Sequence, residues 1–221
     1  VTALAALPNS VPAGDALLSD QAYAVIRDLI VTLDLAPGSV VSEQDLMARL
    51  GMGRTPIREA LRMLAQDRLV DIYPRRGMFV TSVDVRDLAA LSEVRTVIEP
   101  AAARLATERI TDEDRAELDA LLAELHEHGI GSRPLIDLDR RIHGFVYRCA
   151  RSAYLADACQ RHYTHALRIW FLALDRLENL DDAVREHVAI LEAVREGDPD
   201  RAAQVMLGHI EGFEQSIRQM L

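Results

Sequence analysis

Between Ser42 and Thr81 the chain places two short amphipathic segments on either side of a glycine and follows them with an arginine-bearing turn. Few folds accept that order. Ser42 is placed to cap a helix over 43–50, with Leu46 and Leu50 inward and Gly51 just past its end. A second helix over Arg54–Asp67 gathers Ile57, Ala60, Leu61 and Leu64 on one apolar face. Gly53 is its expected N-cap, which leaves Pro56 in the first turn, where a missing N–H costs nothing. Leu69–Tyr73 and Met78–Thr81 read as two short strands joined by Pro74-Arg75-Arg76-Gly77. Ahead of them, Asp20–Leu35 has helical spacing in Ala22, Val25, Ile26, Leu29, Ile30 and Leu33, and is expected to stop at Ala36-Pro37-Gly38. The order predicts a winged helix-turn-helix, whose second helix enters the major groove while the hairpin tip tracks the backbone or minor groove. Arg54 and Arg58, four apart on the polar face, can reach one groove together, and guanidinium forks pair with guanine O6/N7 or clamp phosphate.

A net charge of −10 over 221 residues looks unfavourable for binding a polyanion, but the distribution matters more than the total. Residues 20–80 hold eight arginines and eight acids, so the acidity lies almost wholly in the remainder. Within 47–64 four arginines meet one acid, Glu59. From Asp87 onward the sequence predicts helices over about 85–109, 112–128, 135–151, 153–176, 181–196 and 199–220, with breaks at Gly129–Pro134 and Glu196–Pro199. No heptad run is long enough for a coiled coil. The expected fold class is therefore mainly α: an N-terminal winged helix-turn-helix and a C-terminal all-helical antiparallel bundle. The expected divisions are a loose arm over 1–18, a DNA-binding domain over 19–81 and a helical domain over 87–221. The arm lacks the basic region of a signal peptide, and no stretch approaches the ~18–20 apolar residues of a membrane span. Two cysteines, Cys149 and Cys159, point to a reduced, cytoplasmic protein without disulfides.

The run LMARLGMGRTPIREALRMLAQDRLV, followed by a hairpin ending GMFV, resembles the N-terminal domain of GntR-family bacterial transcription regulators. The helical remainder is similar to that family's FadR-type effector domain, the FCD class, and the resemblance spans about residues 20–218. It implies operator contacts from Arg54, Thr55 and Arg58, with Gly77 at the wing tip. Arg62 continues the same face one turn later, and Arg75 and Arg76 flank the wing turn. Two positions depart from the pattern. Gly53 stands where Ser is usual, and Gln44 stands where a DNA-contacting Arg is frequent.

Seven histidines are present, at 126, 128, 143, 162, 165, 187 and 209. Asp139 and His143, at i and i+4, project together from one helix, and His187 and His209 lie on later ones. Spacing alone leaves these four as candidates; the resemblance implies that they hold one divalent ion per subunit. One carboxylate and three imidazoles suit Zn²⁺ first, with Ni²⁺, Mn²⁺ and Fe²⁺ open. Ile142 and the Arg151–Tyr154 stretch depart from the family's surroundings of that site. Arg95, four residues before Glu99, resembles the family's arginine and is expected to clamp the far carboxylate of an organic-acid effector, the alternative being a surface Arg95–Glu99 pair. Arg148 is a second effector-binding candidate of the same kind.

The expected function is a ligand-responsive transcription regulator. It binds palindromic operator DNA as a homodimer, because one recognition helix reads only a half-site. A small organic acid over the metal would set its DNA affinity, felt through the linker at Ser82–Arg86. A metal-sensing regulator without organic effector, a metal-dependent hydrolase and a helical interaction module with structural histidines are the alternatives. The hydrolase lacks a His-Glu-x-x-His helix and a carboxylate pair at catalytic spacing. Neither it nor the interaction module has use for the winged-helix segment.

Overall fold

The computed structural model describes residues 17–84, 86–127, 132–173 and 180–219. The chain divides into two compact units, Val1–Asp84 and Val85–Leu221.

The first unit runs α1 (Leu18–Val31), β1 (Val40–Val41), α2 (Glu43–Leu50), α3 (Arg54–Gln66), β2 (Val70–Tyr73) and β3 (Gly77–Val80). Ile26, Leu29 and Ile30 of α1 meet Ile57, Leu61 and Leu64 of α3 in one core with Leu46, Leu69 and Val80. The turn between α2 and α3 forms as its residues dictate. The Ser42 side chain accepts from the Asp45 N–H at 3.2 Å, and Gly51 adopts φ +65°. Gly53 occupies the N-cap of α3 with no side-chain bond to the helix.

Three differences from the sequence reading appear here. The sheet has three strands, ordered β1-β3-β2 and antiparallel throughout, because Val40 and Val41 pair with Phe79 and Met78. Helix α1 ends at Val31 rather than Leu35. Leu33 turns left-handed (φ +64°), and the Leu35 N–H reaches back to the Leu29 carbonyl at 2.9 Å, so the last apolar residues close the helix instead of extending it. At its start, α1 takes in Leu18, which the sequence reading assigned to the arm; residues 1–16 of that arm lie outside the described residues.

The second unit holds α4 (Asp87–Arg109), α5 (Asp112–Glu127), α6 (Ser132–Cys149), α7 (Ala153–Ala173), α8 (Leu180–Glu196) and α9 (Pro199–Gln219). Helix α4 packs most extensively on α9 and also meets α6, α7 and α8; α5 packs on α6 and α8. Thr111 and Asp114 cap α5 reciprocally, the Thr111 N–H donating to Asp114 Oδ2 at 2.9 Å and the Asp114 N–H to Thr111 Oγ1 at 3.3 Å. Asp198 accepts from the Arg201 N–H at 3.0 Å, with Pro199 opening α9. The break expected at 129–134 is shorter than predicted: α6 begins at Ser132, with Pro134 tolerated in its first turn. Cys149 and Cys159 are free and buried, and burial pushes both thiols up to about 12. Among the described residues no helix is long and apolar enough to cross a membrane.

Candidate metal centre and DNA-contacting surface

The polar side of α3 carries the predicted nucleic-acid residues. Arg54, Thr55, Arg58 and Arg62 are all exposed, and at three- and four-residue spacing they share one side of the helix. The Arg58 Nε–H already has a partner, the Glu43 carboxylate of α2, at 2.9 and 3.0 Å. Arg62 holds Glu59 at 2.8 Å. In the wing, Tyr73 pairs with Gly77 and leaves Pro74, Arg75 and Arg76 as the tip. Arg75 takes φ +64° and Gly77 +104°, a sharp reversal that leaves Arg75, Arg76 and Gly77 exposed. Gln44 is exposed as well.

In the second unit, α6 supplies Asp139 and His143, α8 His187 and α9 His209, and all four are buried. Each offers one donor atom, and these atoms lie within 4.8 Å of one another. His187 Nε2 is 2.6 Å from Asp139 Oδ1, His143 Nε2 is 3.6 Å from the same oxygen, and His143 and His209 bring their Nε2 atoms to 3.2 Å. Ligand atoms of one ion bound at ~2.1 Å stand about 3.4 Å apart in a tetrahedron, so the donors are gathered around one point and need shifts of up to about an ångström to close on a single divalent cation. Among the described residues this is the group able to hold one. His126 and His162 instead place Nδ1 on carbonyls of their own helices, at Leu122 and Ala158; His165 is half-buried, and His128 lies outside the described residues.

Around the four lies a second layer of buried or half-buried groups. His143 Nδ1 is 3.1 Å from Glu99 Oε2 and 3.0 Å from the Tyr147 hydroxyl, and His209 Nδ1 is 2.8 Å from Glu186 Oε2. A carboxylate at Nδ1 fixes the tautomer that leaves the Nε2 lone pair facing the cluster. Tyr163 donates to the second oxygen of Asp139. Burial alone would raise the Asp139 pKa, but the histidine charges beside it, His143 foremost, hold it well below the carboxylate range. The tyrosines go the other way: burial lifts both hydroxyls well above their ordinary value, so they remain donors.

Arg95 and Glu99 do form a pair, at 2.5 Å, but it is not the surface pair set against the effector clamp. The pair is not on the surface, since the side chains are 3% and 0% exposed, and the fork is already engaged by Glu99. Burial opposes ionisation of the carboxyl, but Arg95 outweighs it and holds Glu99 down to about 2. Arg148 is not brought to the cluster. It sits half-exposed on the outside of α6, bound to Glu117 of α5 at 2.7 Å, because five residues beyond His143 is about 140° around the helix.

A family profile described as bacterial regulatory proteins, gntR family, matches residues 18–80, and one described as the FCD domain matches 90–212. The chain belongs to the GntR family and carries an FCD domain. It is 28% identical over 208 residues to the HTH-type transcriptional repressor RspR of Escherichia coli, covering 92% of this chain and 90% of that one. It is 32% identical to an HTH-type transcriptional regulator from an unstable DNA locus of Streptomyces ambofaciens, covering 90% and 84%. The structure of E. coli McbR/YncC shares its fold, with a TM-score of 0.80 at 20% identity over 93% of this chain and 99% of that chain. This GntR-family protein is thus a transcription regulator, and the hydrolase alternative falls away. The FCD span contains all four cluster residues and also Glu99, Tyr147, Tyr163 and Glu186.

Sequence reasoning missed Tyr147, Tyr163 and Glu186, and named Glu99 only as the neighbour of Arg95. Glu186 adjoins His187 in the chain but serves His209 on the next helix, a pairing that only tertiary packing creates. One consequence is measurable in metal-free protein. Burial pushes His209 down to about 4 from an ordinary 6.5. The unfolded chain therefore takes up that proton first, and stability should rise with pH from about 4 to 6.5 and be lost as pH falls through the same window. The contribution is up to about 3 kcal/mol. Denaturant melts of chelator-treated protein near pH 7 and near pH 4.5 should show it, and the His209→Gln protein should show a flatter pH dependence.

Proposed function

We propose that this regulator binds a two-fold symmetric operator as a homodimer in the bacterial cytoplasm. A small carboxylate taken up beside a divalent ion in the FCD domain would tune its affinity. The proposed divisions of labour are DNA reading by 19–81 and effector binding and pairing by 87–221. Arg54, Thr55 and Arg58 would contact operator bases or phosphate, with Arg62, Arg75, Arg76 and Gly77 against the backbone. Asp139, His143, His187 and His209 would hold the ion, Zn²⁺ before Ni²⁺, Mn²⁺ or Fe²⁺. The observation that carries the reading is the buried convergence of those four donors, with carboxylates behind His143 and His209 aiming them inward. When bound, the ion supplies Lewis-acid positions that attract a carboxylate oxygen.

Arg58→Ala should weaken specific operator binding by about 1–3 kcal/mol, roughly 5–150-fold, with Arg54→Ala similar in direction. Fluorescence anisotropy on promoter DNA checks this; unchanged affinity in both variants would refute the surface assignment. Binding should also fall steeply with salt.

One observation favours a metal sensor without organic effector. The Arg95 charge is matched inside the domain by Glu99, so an incoming carboxylate must share that guanidinium. Thermal shift with a panel of dicarboxylates and hydroxy acids decides between the two readings. An acid that stabilises wild type by several degrees and Arg95→Lys by less supports the clamp. No shift from any acid, together with loss of operator binding on chelation, supports the sensor.

A further inference from the structure

Among the described residues, the groups in and around the four-donor cluster are withdrawn from solvent with one exception. Asp139, His143 and His187 are at most 2% exposed, and Arg95, Glu99, Tyr147 and Tyr163 at most 3%. His209 is the most exposed of the four donors, at 8%, and Glu186, which holds its Nδ1 at 2.8 Å, keeps 40% of its side chain in solvent. Orienting an imidazole does not call for that exposure, since Glu99 meets His143 Nδ1 while fully buried. Gly212, one turn after His209 on α9, gives the Glu186 carboxylate its room: a Cβ there would stand 3.2 Å from Glu186 Oε1, closer than ordinary contact. Glycine weakens a helix interior. Of the two glycines inside α9, Gly208 and Gly212, it is Gly212 whose missing side chain leaves space that a neighbour uses.

We propose that Glu186 is the entry ligand of the cluster. Its carboxylate takes a hydrated divalent cation from solvent and passes it, by the edge of the His209 ring, to the interior donors, and Gly212 leaves the hollow in which that carboxylate turns. The inference rests on the metal reading above and adds the route by which the site fills. An anionic oxygen at the surface raises the local concentration of cations and replaces the first water of the ion's shell. While the carboxylate is turned outward, water accepts the Nδ1–H at the exposed edge of His209. Once the ion has passed, Oε2 returns to Nδ1 and holds the ring with its Nε2 lone pair inward. A group of this kind stands on the path but outside the four donors of the filled site. By detailed balance it speeds arrival and departure together. A group that only orients a ligand acts on the filled site instead, and its loss shows as faster release.

Stopped-flow mixing of the metal-stripped full chain with Zn²⁺ held on a weak fluorescent indicator reads loading, and transfer of bound Zn²⁺ to excess chelator reads release. Glu186→Gln keeps an oxygen able to accept from His209 Nδ1–H and removes the charge. Its loading should slow by about 10-fold or more, with release slowed alongside. Gly212→Ala keeps every polar group, and it should slow both steps several-fold while the metal content at equilibrium stays that of wild type. Glu211→Gln removes an exposed charge from the same helix and should load as wild type does. If either Glu186→Gln or Gly212→Ala loads at the wild-type rate, the route is wrong. Slow loading of Glu186→Gln with release unchanged or faster would reduce Glu186 to an orienting group. Equal slowing in Glu211→Gln would trace the effect to overall charge and overturn the entry role, with the metal reading intact in all three cases. If the wild-type chain takes up no Zn²⁺, the metal reading falls and the route with it.

Discussion

A His187→Ala protein should retain less than about a tenth of the wild-type metal by elemental analysis, and its folded state should no longer respond to added Zn²⁺. His187 is fully buried, with its Nε2 2.6 Å from Asp139 Oδ1, so its loss removes a donor from the interior of the cluster. Removing one of four ligands leaves a three-donor site with an interior gap in place of an imidazole. A metal that binds only the folded state stabilises it in proportion to the logarithm of its concentration over Kd, about 4 kcal/mol at a thousandfold excess. That increment should vanish in the variant. Full stoichiometry in His187→Ala would remove this residue from the ligand set.

The second large effect belongs to Glu99. Replacing it with Leu leaves the Arg95 guanidinium, 3% exposed, without its carboxylate and leaves His143 Nδ1 with the Tyr147 hydroxyl alone. Breaking a buried pair from one side typically costs about 3–5 kcal/mol, a large share of the stability of a domain this size. Chemical denaturation should show that loss. The double variant Arg95→Met/Glu99→Leu should recover most of it, because two apolar residues remove both buried charges at once. If the double variant is no more stable than the single, the energy lies in the Glu99–His143 contact rather than in the ion pair.

What could be read in advance, and what could not, follows from the range of each interaction. The caps at Ser42, Gly51 and Asp198 are local chemistry, written within four residues, and the structure places them where the chain suggests. Strand β1 escaped because two residues carry no periodicity; its existence depends on Phe79 and Met78, almost forty positions away. Leu33 looked like one more turn of α1, since apolar spacing cannot distinguish a helix that continues from one that folds its last residues back. At the cluster, i and i+4 spacing could join Asp139 to His143 but could not bring α8 and α9 to them. The Arg95–Glu99 pair was visible as a pair and invisible as a buried one, because burial belongs to the helices packed around α4. Arg148 is a different kind of miss. Its angular offset from His143 is fixed by helix geometry, so the sequence already held the reason to set it aside.

The Glu43–Arg58 contact in the first unit gives the recognition helix a competitor that travels with it. Because Glu43 is tethered at a fixed distance, its effective concentration beside the guanidinium does not fall when the protein is diluted, and every DNA segment must displace it. An exposed pair of this kind is worth no more than about 1 kcal/mol, which is a factor of about five against any encounter. Both a phosphate and a guanine edge can take both hydrogen bonds of the fork, so an operator contact through Arg58 would have to exceed, at every encounter, a carboxylate of small energy that never leaves.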